Sequence, residues 1–131
     1  MIEFHLDGRS GVAPYLQLIR QVRQALRLGL LQEGDRLPTV KEVSGALAIN
    51  PNTVLKAYRE LEYEGLVAAR PGIGTFATKT LSDASVAAHQ DLSQDLLAWY
   101  RKARAAGLDT ESIEALIQQT VRSAIQEEQA V

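Results

Sequence analysis

Apolar residues in this chain recur mostly at three- and four-residue steps, the spacing of helices that bury one face. Tyr15, Leu18, Ile19, Val22, Ala25 and Leu26 form the first stripe and predict a helix over 14–31. Pro14 suits its first position, where the missing N–H costs nothing. Arg20, Arg23 and Arg27 lie off the stripe, and the helix is expected to stop before Gly34. A short second helix begins after Thr39, which with Glu42 matches a capping box; Val43, Ala46 and Leu47 are its expected inner face. Asn50-Pro51 opens a third helix, since Asn is a strong N-cap and Pro is favoured at the next position. Val54, Ala57, Tyr58 and Leu61 are its inner stripe, and Gly65 ends it. Only Ala48, Ile49 and Asn50 separate the second helix from the third, so the two must meet steeply, as in a helix-turn-helix.

Beyond Gly65 the pattern changes to two short apolar runs, Leu66–Ala69 and Thr75–Thr78. Arg70-Pro71-Gly72-Ile73-Gly74 joins them, a hairpin signal. Residues 79–90 have weak periodicity and read as a connector that turns helical at its end. Leu92, Leu96, Trp99 and Ala103 mark a fourth helix ending near Gly107. Asp109 or Thr110 caps a fifth, with the stripe Ile113, Leu116, Ile117, Thr120, Val121, Ala124 and Ile125. Its N-terminal acids Asp109, Glu111 and Glu114 suit the helix dipole.

The order helix, helix-turn-helix, hairpin, two helices predicts a mainly α fold with a small β-hairpin wing. The domain expectation is a winged helix-turn-helix over 1–80 and a two-helix dimerisation tail over 81–131. Two helices with one apolar stripe each bury little within one chain, and about 50 residues is marginal for an independent core. Packing on the tail of a second copy resolves this. Trp99 and Tyr100 are candidate anchors there, with packing of Trp99 on the first helix of its own chain as the alternative.

Composition narrows the chemistry. The chain has 131 residues, no Cys and a net charge of −2, so thiol nucleophiles and Cys-ligated zinc are excluded. No apolar run approaches the ~18 residues of a membrane span, and the N-terminus lacks the pattern of a secretory signal; a cytoplasmic location is expected. His5 and His89 are isolated and read as surface histidines, outside any HExxH-type spacing. Neither a GxxxxGK[ST] nor a GxSxG motif occurs. Gly72-Ile73-Gly74 leads into a strand, so no helix N-terminus faces a phosphate as a dinucleotide fingerprint requires. No enzyme, cofactor or metal is expected.

Charge is uneven. Residues 1–80 hold 10 Lys+Arg against 8 acids, and residues 81–131 hold 4 against 8. At 100° per residue Asn52, Lys56, Arg59 and Tyr63 share the outer face of the third helix, with Thr53 near its start. Asn reads adenine bidentately, Thr bonds bases or touches a thymine methyl, and Lys and Arg neutralise phosphate. A solvated polar face would look similar in isolation. A glycine-bearing wing directly after the helix favours DNA, because glycines admit close approach to phosphates or the minor groove.

Three separated stretches carry a family resemblance: Glu33-Gly34-Asp35-Arg36-Leu37-Pro38-Thr39-Val40-Lys41-Glu42; Asn50 to Glu62; and Glu64-Gly65-Leu66 with Gly72-Ile73-Gly74-Thr75-Phe76. Over roughly residues 10–78 they resemble the winged helix-turn-helix of GntR-family transcription regulators, and the short two-helix tail resembles the YtrA-type branch. The resemblance implies a homodimeric bacterial repressor binding a palindromic operator in double-stranded DNA, with an effector it does not identify. It assigns operator contacts to Lys41, to Asn50, Asn52 and Thr53, and to Gly72 in the wing. Lys41 stands where the family usually has Arg, and an ammonium lacks the forked guanidinium contact. Ile73 stands between the wing glycines where a basic residue is usual, which weakens the wing contact or shifts it to Arg70. The candidate set is therefore Lys41, Asn50, Asn52, Thr53, Lys56, Arg59, Arg70 and Gly72. Alternatives are a regulator whose tail senses a ligand and a winged-helix module that binds protein without DNA. Some GntR relatives carry a fused aminotransferase-like domain; the terminal Gln-Glu-Glu-Gln-Ala-Val reads as a natural end, against such a fusion.

Overall fold

A computed structural model of the chain describes residues 2–81 and 86–130. Its elements in chain order are α1 (Pro14–Arg27), α2 (Val40–Leu47), α3 (Pro51–Tyr63), β1 (Val67–Arg70), β2 (Gly74–Ala77), α4 (Val86–Ala105) and α5 (Thr110–Gln129). The fold is mainly α with one antiparallel hairpin, as the pattern predicts. Contacts divide the chain into two compact units, Met1–His89 and Gln90–Val131. Residues 82–85, inside the predicted connector, lie outside the described residues.

In the first unit the inner stripes of α1 and α3 supply most of the core. Leu18, Val22, Leu26, Val54, Ala57 and Leu61 are completely buried. α1 ends at Arg27, earlier than the apolar pattern suggests. Gly29 turns left-handed (φ 74°), and the N–H groups of Leu30 and Leu31 both return to the Ala25 carbonyl. Leu31 is therefore a core residue, buried from a turn and not from the helix. On α2, Val43 is buried and Leu47 half-buried. Ala46 is exposed, contrary to its expected inward position; an eight-residue helix meets the core along a narrow line.

Caps set both helix starts in the helix-turn-helix. Thr39 Oγ1 accepts the Glu42 N–H at 3.0 Å, and Asn50 Oδ1 accepts the Asn52 N–H at 2.9 Å. Between them Ala48 adopts the left-handed conformation (φ 54°), which makes the three-residue turn possible. Tyr58 closes the arrangement: its buried phenol donates to the Pro38 carbonyl at 2.6 Å. Burial, with Glu42 adding repulsion, pushes its ionisation well above the ordinary value.

The hairpin pairs Val67 with Ala77 and Arg70 with Gly74. A third segment joins it. Leu37 N–H donates to Thr75 O, and Ala77 N–H to Asp35 O, each at 2.8 Å, with Arg36 bridged to Phe76. Before α1, the chain is strapped down by two amides. Gln21 exchanges hydrogen bonds with the His5 backbone, and Gln17 does so with that of Asp7. Ile2, Phe4 and Leu6 thereby pack against the core.

The second unit is different. Asp109 caps α5 by accepting the Ser112 N–H at 2.7 Å, and hydrogen bonding from Ser112 holds its carboxyl below the ordinary range. Among its described residues only Ala103 and Ile113 are buried. Leu96, Trp99, Leu116, Ile117, Thr120 and Val121 line an open, mainly apolar groove of about 370 Å³ between α4 and α5.

Two outcomes follow from the helix-turn-helix geometry. Tyr58→Phe leaves the Pro38 carbonyl without its partner and should destabilise the protein by roughly 1–2 kcal/mol in urea unfolding. Because the folded-state ionisation of Tyr58 lies above the unfolded value of 10.0, its contribution is complete below that pH and declines as pH rises past it; the deficit of Tyr58→Phe should shrink there. Ala48→Gly relieves a left-handed alanine and should stabilise by up to about 1 kcal/mol, after the extra unfolded-chain entropy of glycine is subtracted. A loss of stability in thermal melts would show that the Ala48 methyl matters more than the backbone strain.

Candidate nucleic-acid interface

Packing of α3 on α1 consumes one side of α3 and leaves the other in solvent. Asn52, Lys56 and Arg59 are all exposed on that outer face, and Tyr63, at its C-terminal end, is 92% exposed. Thr53 sits half-buried in the first turn. Asn50 is exposed, but its side-chain oxygen is committed to the cap. Its amide N–H₂ is not used by that cap and can donate to base acceptors or phosphate. Lys41, the second residue of α2, is exposed.

Lys56 is not a free cation. Its Nζ lies 3.9 Å from the centre of the Tyr15 ring, a cation–π contact that fixes the ammonium on α1. The apolar pattern places Tyr15 in the α1 stripe; its half-buried ring also serves as the seat of Lys56. The pairing crosses 41 positions of sequence, and no helical period connects the two residues.

The wing turn is built by Pro71-Gly72. Ile73 N–H donates to Arg70 O at 2.9 Å, and Gly72 has φ 74°, the positive angle that the third position of a type II turn requires. Arg70 and Gly72 are both exposed. The Arg70 guanidinium lies 4.8 Å over the Phe76 ring. Together with Arg36, Thr39 and Val40, the wing turn lines a shallow groove of about 390 Å³. Arg36 is a residue that the sequence pattern does not single out. It enters this groove because its segment pairs with β2, a contact with no local signal.

The candidate residues thus fall into two sets on the first unit: the outer face of α3, and the wing with the approach to α2. Among the described residues the ion pair is Arg23 with Glu64, which involves none of the candidate cations. Their charge remains available to an anionic partner. Among the described residues no group of three or more His, Cys, Asp or Glu side chains is placed to hold a metal ion, and no helix is long and apolar enough to cross a membrane.

Residues 14–77 match the family described as bacterial regulatory proteins, gntR family. The chain is 40% identical to the HTH-type transcriptional repressor YtrA of Bacillus subtilis over 74 residues, 56% of this chain and 57% of that protein. The match therefore spans little more than half the length of that relative. It is 42% identical to the HTH-type transcriptional regulator Rv1152 of Mycobacterium tuberculosis over 84 residues, 63% of this chain and 69% of that one. In fold it resembles YtrA from Sulfolobus acidocaldarius, a GntR-family transcription factor, with a TM-score of 0.53 at 24% identity over 92% of this chain and 97% of that one. The helix-turn-helix and the wing both lie within the matched segment, and the chain belongs to the GntR family of bacterial regulatory proteins.

Proposed function

We propose that the protein is a sequence-specific DNA-binding transcription regulator, a repressor that binds a palindromic operator as a homodimer. The carrying observation is the capped α3, whose inner stripe is fully used in the core and whose outer face presents Asn52, Lys56 and Arg59 to solvent. In a helix-turn-helix this helix enters the major groove with its N-terminal residues at the base edges. Asn52 and Thr53 then read bases. Asn50 orients the helix start and offers its amide, and Lys56 and Arg59 hold phosphates. Lys41 contacts the backbone from α2, and Arg70 and Gly72 do so from the wing. Such a protein acts where the chromosome is, in the cytoplasm, and performs no catalysis.

The tail supplies the second subunit in this reading. Leu96, Leu116, Val121 and Ile125 are 44–54% exposed in the single chain. A second copy of α4 and α5 covers those positions and accounts for residues 81–131 as the dimerisation segment and 1–80 as the DNA-binding domain. Two linked recognition helices require half-sites about one helical turn apart.

Binding should weaken steeply with salt, as counterion release demands. Asn52→Ala should cost roughly 1–3 kcal/mol on the operator and relax preference at one base position. Arg59→Ala should weaken operator and random DNA alike and lower the salt slope by about 1 unit. Fluorescence anisotropy separates the two; equal losses of specific and non-specific binding in both variants would refute the division of the helix face. Leu116→Glu places a charge in the tail groove and should convert a dimer to a monomer in sedimentation, with operator affinity falling about 100-fold as the two half-site contacts are uncoupled. A wild-type protein that sediments as a monomer at micromolar concentration would contradict the dimer.

A further inference from the structure

The wing tip, Pro71-Gly72-Ile73, carries no cation. Positive charge on the wing comes from elsewhere. Arg36 and Arg70 approach it from two sides of β2: Arg36 bridges to Phe76 on one edge, and Arg70 on β1 pairs with Gly74 on the other.

Arg36 is held by the absence of a side chain. A Cβ at Gly74 would stand 3.0 Å from Arg36 Nε, 3.6 Å from Cδ and 3.7 Å from Cγ. The arginine stem therefore lies across bare glycine backbone. Gly74 itself has φ 145°, a conformation that favours glycine. Arg70 is held as well, by the Phe76 ring. Both guanidiniums start from restrained positions, which lowers the entropy lost when they engage a ligand.

Among the described residues neither is in an ion pair. The acid next to Arg36, Asp35, accepts the Gln32 N–H at 2.8 Å. Glu62, the acid bonded to β1, accepts the Ala69 N–H at 2.7 Å. Two exposed, pre-positioned guanidiniums beside one groove, neither ion-paired among the described residues, fit a phosphodiester, whose paired oxygens match the planar fork.

We propose that Arg36 is a DNA phosphate anchor of the wing: its guanidinium, laid across Gly74, grips the backbone of bound double-stranded DNA together with Arg70. The contact is sequence-independent, because phosphate carries no base information. This rests on the DNA-binding reading above, and the experiment keeps the two separable.

The test measures binding of the full chain to a mixed-sequence duplex of about 30 base pairs across ~50–200 mM salt, which needs no knowledge of the operator. Arg36→Gln keeps the stem over Gly74 and removes the charge. It should weaken binding several-fold and lower the slope of log K against log salt by about 1 unit, with the thermal midpoint unchanged. Arg36→Lys keeps the charge and should retain the slope. A wild-type slope in Arg36→Gln overturns the proposal while leaving DNA binding intact. So does an equal loss in both variants accompanied by a lower thermal midpoint, which marks a packing role. A wild-type protein with no salt-dependent binding overturns the DNA reading itself and this proposal with it.

Discussion

The hydrogen bond from the buried Tyr58 phenol to the Pro38 carbonyl fixes the angle on which the helix-turn-helix depends. It reaches a segment that serves three elements in three consecutive residues. Leu37 donates its N–H to β2 and is itself completely buried. Pro38 offers its carbonyl to α3, and its ring keeps Leu37 extended. Thr39 then caps α2. A carbonyl buried at such a junction costs free energy unless it is paired. Tyr58 is the side chain on the α3 stripe that pairs it, with the remainder of its ring filling the core.

That constraint determines what is left for function. With Val54, Ala57, Tyr58 and Leu61 committed inward, the opposite side of α3 is solvent-facing by geometry alone. The candidate polar groups on this face and around the wing then divide by how firmly they are held. Lys56 rests on Tyr15, Arg70 on Phe76 and Arg36 on Gly74. Among the described residues the side chains of Asn52 and Arg59 have no such seat. Cations, seated or not, suit a regular target such as the phosphate backbone, and the three seated ones lose less side-chain entropy on binding it. The exposed amide of Asn52, at the start of α3, suits base edges, whose donor and acceptor pattern changes with sequence.

Local signals made most of this legible. Thr39 with Glu42, Asn50 with Pro51, and the 54/57/58/61 stripe each lie within a few residues of one another, and all three predict what the structure contains. The sequence pattern does not single out the arm of Ile2, Phe4 and Leu6, because what holds it, Gln17 and Gln21, lies ten and sixteen residues beyond the backbone groups they bind. The overextension of α1 has a different cause. Leu31 is as apolar and as buried as a helical core residue, so periodicity carries the helix through a turn that Gly29 in fact makes. Arg36 and Tyr15 were hidden because their significance is cross-element. The 35–37 segment meets β2 about forty residues later, and Tyr15 meets Lys56 across two helices. No single-element period reports such contacts.

The two units satisfy their apolar surface in different ways. In the first, a continuous cluster from Leu18 to Ala77 closes within one chain. In the second, α5 repeats the same three- and four-residue apolar spacing, yet among its described residues only Ile113 is buried. An amphipathic helix gains most of its stability from covering its stripe, so a tail that leaves Leu116, Val121 and Ile125 in water is incomplete thermodynamically. Association that covers them contributes to tail stability and to dimer affinity through the same buried area. In the proposed repressor this couples tail order to the pairing of recognition helices, because occupancy of two half-sites favours the associated state that completes the tail.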